Sequence, residues 1–445
     1  MMTDKLFKKY NLIVGWAVFA IALLTYSLTV EPTVSFWDCG EYIATSAKLE
    51  VGHPPGAPFF QMMGAFIAAF APNTDKIALL VNYMSVLSSA FTVFFLYFII
   101  VNLAKKIALR SADTLSVAHT VAVMGSGVVG ALAYTFSDSF WFNAVEAEVY
   151  AMAMLFMSVM FWLGIKWTDS LHEPRGDRWL LLISLVVGLS FGVHFMALLT
   201  IPAIGMLYFF NSHYKKNVWN FLIANVVSIA VLLLIFKLIL PYTLAYFGYL
   251  EVYFVNSFGM PFNSGTIIAG LTLVAFFFFA LRYASQKKKV RLQTATLCLL
   301  FVFIGFSSWL MIPIRSNADT VINENSPTDA RLLLAYYNLE QYPETHLFYG
   351  PMYSDKYAGI DEDYPYQDAK PKYERDYTTG RYIIVNQYKN AQVASNRKQM
   401  GFLPRMWSPQ HAANYMKLTG QLDFKISEEA YQEPKLYQFL QQIQR

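Results

Sequence analysis

Apolar runs of spanning length recur along the chain, separated by short polar stretches in which lysine and arginine collect. A helix crossing a bilayer needs about 20 apolar residues, and cytoplasmic loops carry the basic excess. Together these rules predict a cytoplasmic N-terminus, held by Lys5, Lys8 and Lys9, and a first span over 12–30. That run has spanning length and no small-residue cleavage site, so it reads as a span that stays rather than a signal peptide. Residues 31–76 then form an outer loop, in which 58–72 is too short to cross and fits a helix lying at the interface. Further spans lie over 77–104, 118–136 and 149–166.

The stretch 179–210 has the length of one long span or two short ones. Two short spans keep Lys215, Lys216 and the QKKKVR cluster at 286–291 on the cytoplasmic side, with the turn at 188–195. Spans over 218–246, 266–282 and 294–312 bring the total to about nine and place a transmembrane domain at 1–314. From Arg315 the chain turns polar and rich in Tyr, Asp and Pro, which predicts an extracytoplasmic segment of mixed structure over 315–445. It ends on LYQFLQQIQR without a closing element, so a longer natural product is expected. No internal repeat is visible.

Composition agrees with this reading. The chain is 56% hydrophobic and only 14% charged, far from a soluble average, so the expected class is an all-α polytopic membrane protein. The net charge of +4 is small and its basic residues lie in the topological clusters, which argues against a nucleic-acid partner. Cys39 and Cys298 fall on opposite sides of the expected membrane; no disulfide is expected and Cys39 is given no role. There is no Walker loop, Rossmann glycine fingerprint, HExxH, CxxC or nucleophile elbow, which removes ATP-driven transport and serine hydrolysis.

The titratable residues collect at the outer ends of spans: Asp38, Glu41, Glu146, Glu148, Glu251 and Glu324, with His53, His194 and Arg315. A carboxylate costs far less at the interface than at a span's centre, so the positions are permitted whether or not they act. D-C-G-E at 38–41 is an Asp-x-x-Glu capping box, and also two carboxylates one turn apart at a helix start, able to accept a proton or hold a cation. HPPG is a stiff turn, or a device holding His53 beside the carboxylates as a donor to phosphate. In NAVEAEVY, residues two apart diverge around a helix, so one of the pair is expected to face the site, and Glu148 is preferred. His194 falls at the turn between short spans, as a buried structural histidine or a substrate contact. Arg315 is an interfacial anchor or a guanidinium for phosphate oxygens. The paired carboxylates admit a divalent metal, although no ligand set specifies one.

The motifs SFWDCGEYIATSAKLEVGHPPGAPFF, FNAVEAEVYAM and PIRSNADTVINENSPTDARLLL resemble those of the GT-C membrane glycosyltransferases. The match is closest to a protein O-mannosyltransferase-like family with bacterial and animal members, long catalogued as a domain of unknown function. The resemblance implies a GT-C-type helix bundle that moves a sugar, with inversion, from a polyprenyl-phosphate carrier to Ser/Thr hydroxyls of exported proteins. It implies Asp38 as the base, Glu41 as a second polar contact at a spacing unlike the family's adjacent Asp-Glu, and His53 and Arg315 on the carrier phosphate. Glu146, Glu148, His194, Asn323 and Glu324 are the remaining expected substrate contacts. The expected location is the inner (cytoplasmic) membrane with the active site on the periplasmic, extracytoplasmic side, and the partners are the lipid-linked sugar, the acceptor protein and membrane lipid. Two alternatives are a transferase acting on a lipid or envelope glycan and a flippase of lipid-linked sugars. A transporter would place ionisable groups on both sides or at the midplane.

Overall fold

A computed structural model of the chain describes residues 3–110, 114–342, 348–351, 361, 363–395, 397, 400–402, 414 and 417–418. Much of the expected segment 315–445 therefore lies outside the described residues. The apolar runs appear as helices α1 (Asp4–Leu28), α4 (Ile77–Ala108), α5 (Val117–Thr135), α7 (Val149–Asp169), α12 (Ser264–Gln286) and α13 (Val290–Phe306). A further run comprises α10 (Val218–Leu233), a π-helical segment at 234–239 and α11 (Leu240–Phe258). Among the described residues seven helical segments are long and apolar enough to cross a membrane, and the protein is a multi-pass, all-α membrane protein.

Between the spans lie α2 (Cys39–Lys48), α3 (Pro58–Ala68), α6 (Asp138–Ala144), α8 (Arg178–Ser190), α9 (Thr200–Asn211), α14 (Met311–Ser316) and α15 (Ala330–Tyr337). The stretch 179–210 does break into two helices, with the turn at 191–194. At 1.5 Å per residue α8 and α9 are about 20 and 18 Å long, each short of a hydrocarbon core of about 30 Å. The interfacial stretch at 58–72 is helical over α3, with Phe60 and Gln61 buried on its inner face.

One boundary differs from expectation in a way that matters. The helix begun at Val218 runs on to Phe258 instead of ending near 246. Glu251, expected in an outer loop, is thus inside α11 and 2% exposed. Its carboxylate accepts the backbone N–H groups of Asn263 (2.6 Å) and Thr266 (2.9 Å) and the Thr266 hydroxyl (3.0 Å). The free donors at the start of α12 provide what water would otherwise have to supply, so the helix continues and Glu251 is a structural cap rather than a member of the outer cluster.

Packing follows the small residues. α8 lies against α13 where Gly188 and Gly305 face the opposing backbone: a Cβ on Gly188 would stand 2.1 Å from the Val302 carbonyl oxygen, and one on Gly305 2.5 Å from that of Leu185. Close backbone approach of this kind is how helices associate where lipid is as apolar as leucine. α4 is the other organising helix, packing on α1, α5 and α7.

Residues 252–262 and 340–445 form a second unit. Its described strands make three antiparallel pairs: β1 (Tyr349–Pro351) with β6 (Met400–Phe402), β2 (Tyr366–Gln367) with β5 (Gln392–Val393), and β3 (Tyr373–Asp376) with β4 (Arg381–Ile384). Asn256 exchanges two 2.8 Å hydrogen bonds with the Tyr382 backbone, tying the hairpin to the end of α11 within this unit.

Candidate active site

The outer loop folds around α2. Its inward face is set by Cys39, Tyr42, Ile43 and Ser46, at i, i+3, i+4 and i+7, all buried. Asp38 and Glu41 fall on the edge of that face. The capping box expected from D-C-G-E does not form. Asp38 occupies the N-cap position with helical backbone angles and makes no side-chain cap bond, and the Glu41 carboxylate turns to His53 instead. The HPPG turn, whose Pro54–Pro55 bond is cis, brings the histidine there.

Glu41 receives the His53 backbone N–H at 2.5 Å on one oxygen and meets Nδ1 of the ring at 2.9 Å with the other. The opposite ring nitrogen, Nε2, faces Asp38 Oδ2 at 3.7 Å. Gly52 makes this approach feasible, because a Cβ there would lie 2.7 Å from Glu41 Oε1. Tyr42 backs the imidazole, ring centroids 5.6 Å apart. The hydrogen bond to Glu41 raises the proton affinity of His53 above the ordinary histidine range, and the charges of Glu41, Asp38 and Glu324 add to it. Burial alone would raise Glu41, but its bonds from His53 bring it below the usual carboxylate range. The result is a histidine of raised proton affinity gripped by one carboxylate, beside a second, Asp38, whose side chain is 59% exposed.

Glu146 and Glu148 differ from expectation. They lie in the turn between α6 and α7, not within a helix, so the divergence of helical neighbours does not apply. Both are buried against α2. Ser35 donates to Glu146, and the Cys39 thiol donates to Glu148 Oε1 at 3.7 Å. Burial, followed by the charge of Asp38, raises Glu148 to about 7, and burial also raises Glu146. Cys39 and Ser35 are residues that sequence reasoning missed; the helical spacing of Cys39 with Tyr42 and Ile43 was the available signal.

Glu324 reaches the site through a parallel bridge in which the Val51 N–H donates to the Ile322 carbonyl (3.0 Å) and the Glu324 N–H to that of Val51 (3.0 Å). Tyr336 reinforces the junction from α15, its hydroxyl donating to the Gly52 carbonyl at 2.5 Å. Asn323 faces the other way, its side-chain amide donating to the Ser316 carbonyl. Arg315 sits at the C-terminal end of α2, where its guanidinium donates to the carbonyls of Leu49 (2.6 Å) and Lys48 (3.3 Å). This satisfies the helix end as cations there do. At His194, Nδ1 accepts the Met196 N–H, and the ring packs on Tyr150 at 5.1 Å. The geometry thus gathers Asp38, Glu41, His53 and Glu324, with Glu146 and Glu148 behind α2. Among the described residues no group of three His, Cys, Asp or Glu side chains is placed to hold a metal ion.

Residues 38–218 match the family model described as the Protein O-mannosyl-transferase TMEM260 N-terminal domain, a match that opens on Asp38. Residues 343–442 match a family of unknown function, DUF8416. A Protein O-mannosyl-transferase tmem260 of Dictyostelium discoideum is 26% identical over 229 residues, covering 48% of this chain and 25% of that protein. A Protein O-mannosyl-transferase TMEM260 of Mus musculus is 25% identical over 154 residues, covering 35% and 19%. The matched stretch thus spans a quarter or less of these curated relatives. No solved structure matches the chain. The stretch that carries most of the outer-loop cluster is therefore similar to an O-mannosyltransferase-like family of membrane proteins.

Proposed function

We propose that the chain is a GT-C-type glycosyltransferase that moves a sugar from a polyprenyl-phosphate carrier to Ser/Thr hydroxyls of exported proteins, at the extracytoplasmic face of the cytoplasmic membrane. The observation that carries the reading is the division of labour between Asp38 and Glu41. Glu41 is committed to His53 through both oxygens, whereas Asp38 neither caps its helix nor is enclosed, and stands open beside an imidazolium.

In this reading the acceptor oxygen attacks the anomeric carbon from the face opposite the carrier, and Asp38 takes its proton. The bond from the anomeric carbon to the phosphate oxygen breaks with its electron pair going to phosphate, so the carrier leaves as polyprenyl phosphate and the configuration inverts. The His53 imidazolium, whose Nε2 side lies beside Asp38, stabilises the charge growing on the phosphate. General base catalysis contributes about 10²- to 10⁴-fold. Arg315 contributes by fixing the end of α2. Similarity to proteins named as O-mannosyl-transferases supports a sugar as the group moved and protein as the acceptor.

The test is transfer of radiolabelled sugar from membrane lipid to exported protein, in cells carrying the wild-type chain or Asp38→Asn at equal abundance. Asp38→Asn is expected to abolish label without lowering the melting temperature, since no cap bond is lost. Undiminished label would remove Asp38 as the base.

A further inference from the structure

A second feature lies at the far end of the bundle. Trp167 is 19 residues beyond Glu148 along α7, about 28 Å away, close to the thickness of a hydrocarbon core. There a cavity of about 490 Å³ opens between α7, α8, α9 and α10. It follows α10 and the π-helical segment from Asn220 to Ile235, about 22 Å. Its polar lining collects at one end, apart from Ser228, whose hydroxyl is taken up by the Ala224 carbonyl. Val187, Ile201 and Ile235 line the inner end, while Trp167, Tyr214 and Asn220 line the mouth beside the α9–α10 loop. Trp167 stacks on Tyr208 with centroids 5.1 Å apart, and its indole Nε1 is buried without a hydrogen-bond partner. A buried N–H left in this state costs free energy that an acceptor from outside the chain would recover.

The mouth is also positively charged. Lys216 is fixed there, donating to the carbonyls of Phe209 (2.6 Å) and Ser212 (2.7 Å), and the neighbouring Lys215 is exposed. His213 packs on His172, which joins this loop to 170–177. Of the acidic residues on that side, Asp169 pairs with Lys106 at 2.6 Å and Asp177 accepts from Thr294, and among the described residues neither Lys215 nor Lys216 has a carboxylate in ion-pair range.

We propose that this cavity holds one anionic phospholipid of the leaflet opposite the candidate active site. Its acyl chain would lie along α10 and its phosphodiester at the mouth, against the Trp167 N–H and the lysine pair. The one-ended polarity selects an amphiphile over an apolar peptide face, and the uncompensated lysines select an anionic headgroup. This inference does not depend on the transferase reading.

The experiment is native mass spectrometry of the purified full chain with phosphatidylglycerol or phosphatidylcholine added at equal concentration, with melting temperature as the check on folding. The wild type is expected to retain one phosphatidylglycerol in preference to phosphatidylcholine. Lys215→Gln should weaken that preference about fivefold, and Trp167→Phe, which keeps the stacked ring and removes the N–H, should shorten retention at an unchanged melting temperature. Ala224→Trp, which fills the cavity, should abolish the adduct. Equal retention of the two lipids, an undiminished adduct in Ala224→Trp, or a second copy of the chain in place of lipid would each overturn the proposal.

Discussion

His53 is held by Glu41 and faces Asp38, and the pH dependence of the three is linked. Because Glu41 raises the histidine's proton affinity, the imidazolium is fully populated below the ordinary value of 6.5 and is lost as pH rises through the elevated folded value. Glu41→Gln removes the raising hydrogen bond and charge. The alkaline limb of a transfer-rate profile should therefore move to lower pH, and a limb that stays in place would assign it to another group. Glu148 acts in the same direction on stability. Its carboxyl is raised from 4.5 to about 7 by burial, then by Asp38. The native state thus binds the extra proton between those values, and stability falls as pH rises across that window. Glu148→Gln, which carries no proton to lose, should melt progressively higher relative to the wild type between pH 4.5 and 7. Parallel melting curves would show that burial leaves Glu148 ionised at no cost. Asp38, Glu41 and His53 were legible as a group because one short stretch of chain carries all three.

At the scale of elements, what the sequence could not show is which partner takes each free helix end. Asp38 looks like a cap and is not one, while Glu251 looks like an outer-loop carboxylate and is a cap, for a helix that begins 13 residues further on. Arg315 closes the end of α2 from 266 residues away. Each assignment depends on a long-range contact, and local patterning is blind to those. Glu146 and Glu148 were misjudged for a related reason: a helical period was applied to a turn. The Glu251 cap can be tested directly. Glu251→Ala leaves two backbone donors at the start of α12 without their acceptor and should cost about 2 kcal/mol, read as a lowered melting temperature with unchanged transfer activity. Loss of activity at unchanged stability would return Glu251 to the functional cluster.

For the molecule as a whole, hydropathy located the seven spanning helices seen among the described residues, because in a bilayer every backbone polar group must be satisfied within the helix that carries it; the two further spans expected over 179–210 are the shorter helices α8 and α9. The interruption at 191–194 falls within the turn expected at 188–195 from parity with the lysine clusters beyond it. The assembly of the outer loop was not visible. It depends on the bridge from Val51 to residues 322–324 and on the hydroxyl of Tyr336, which meets Gly52 across 284 residues of chain. That junction also sets a timetable. Translation proceeds at roughly 5–20 residues per second, so about 15 to 60 s separate the emergence of Gly52 from that of Tyr336. Throughout that interval His53 and its carboxylates have been made but lack the strand and helix that seat them. A nascent chain therefore carries this cluster early and completes its setting only after the spanning helices up to 316 have followed.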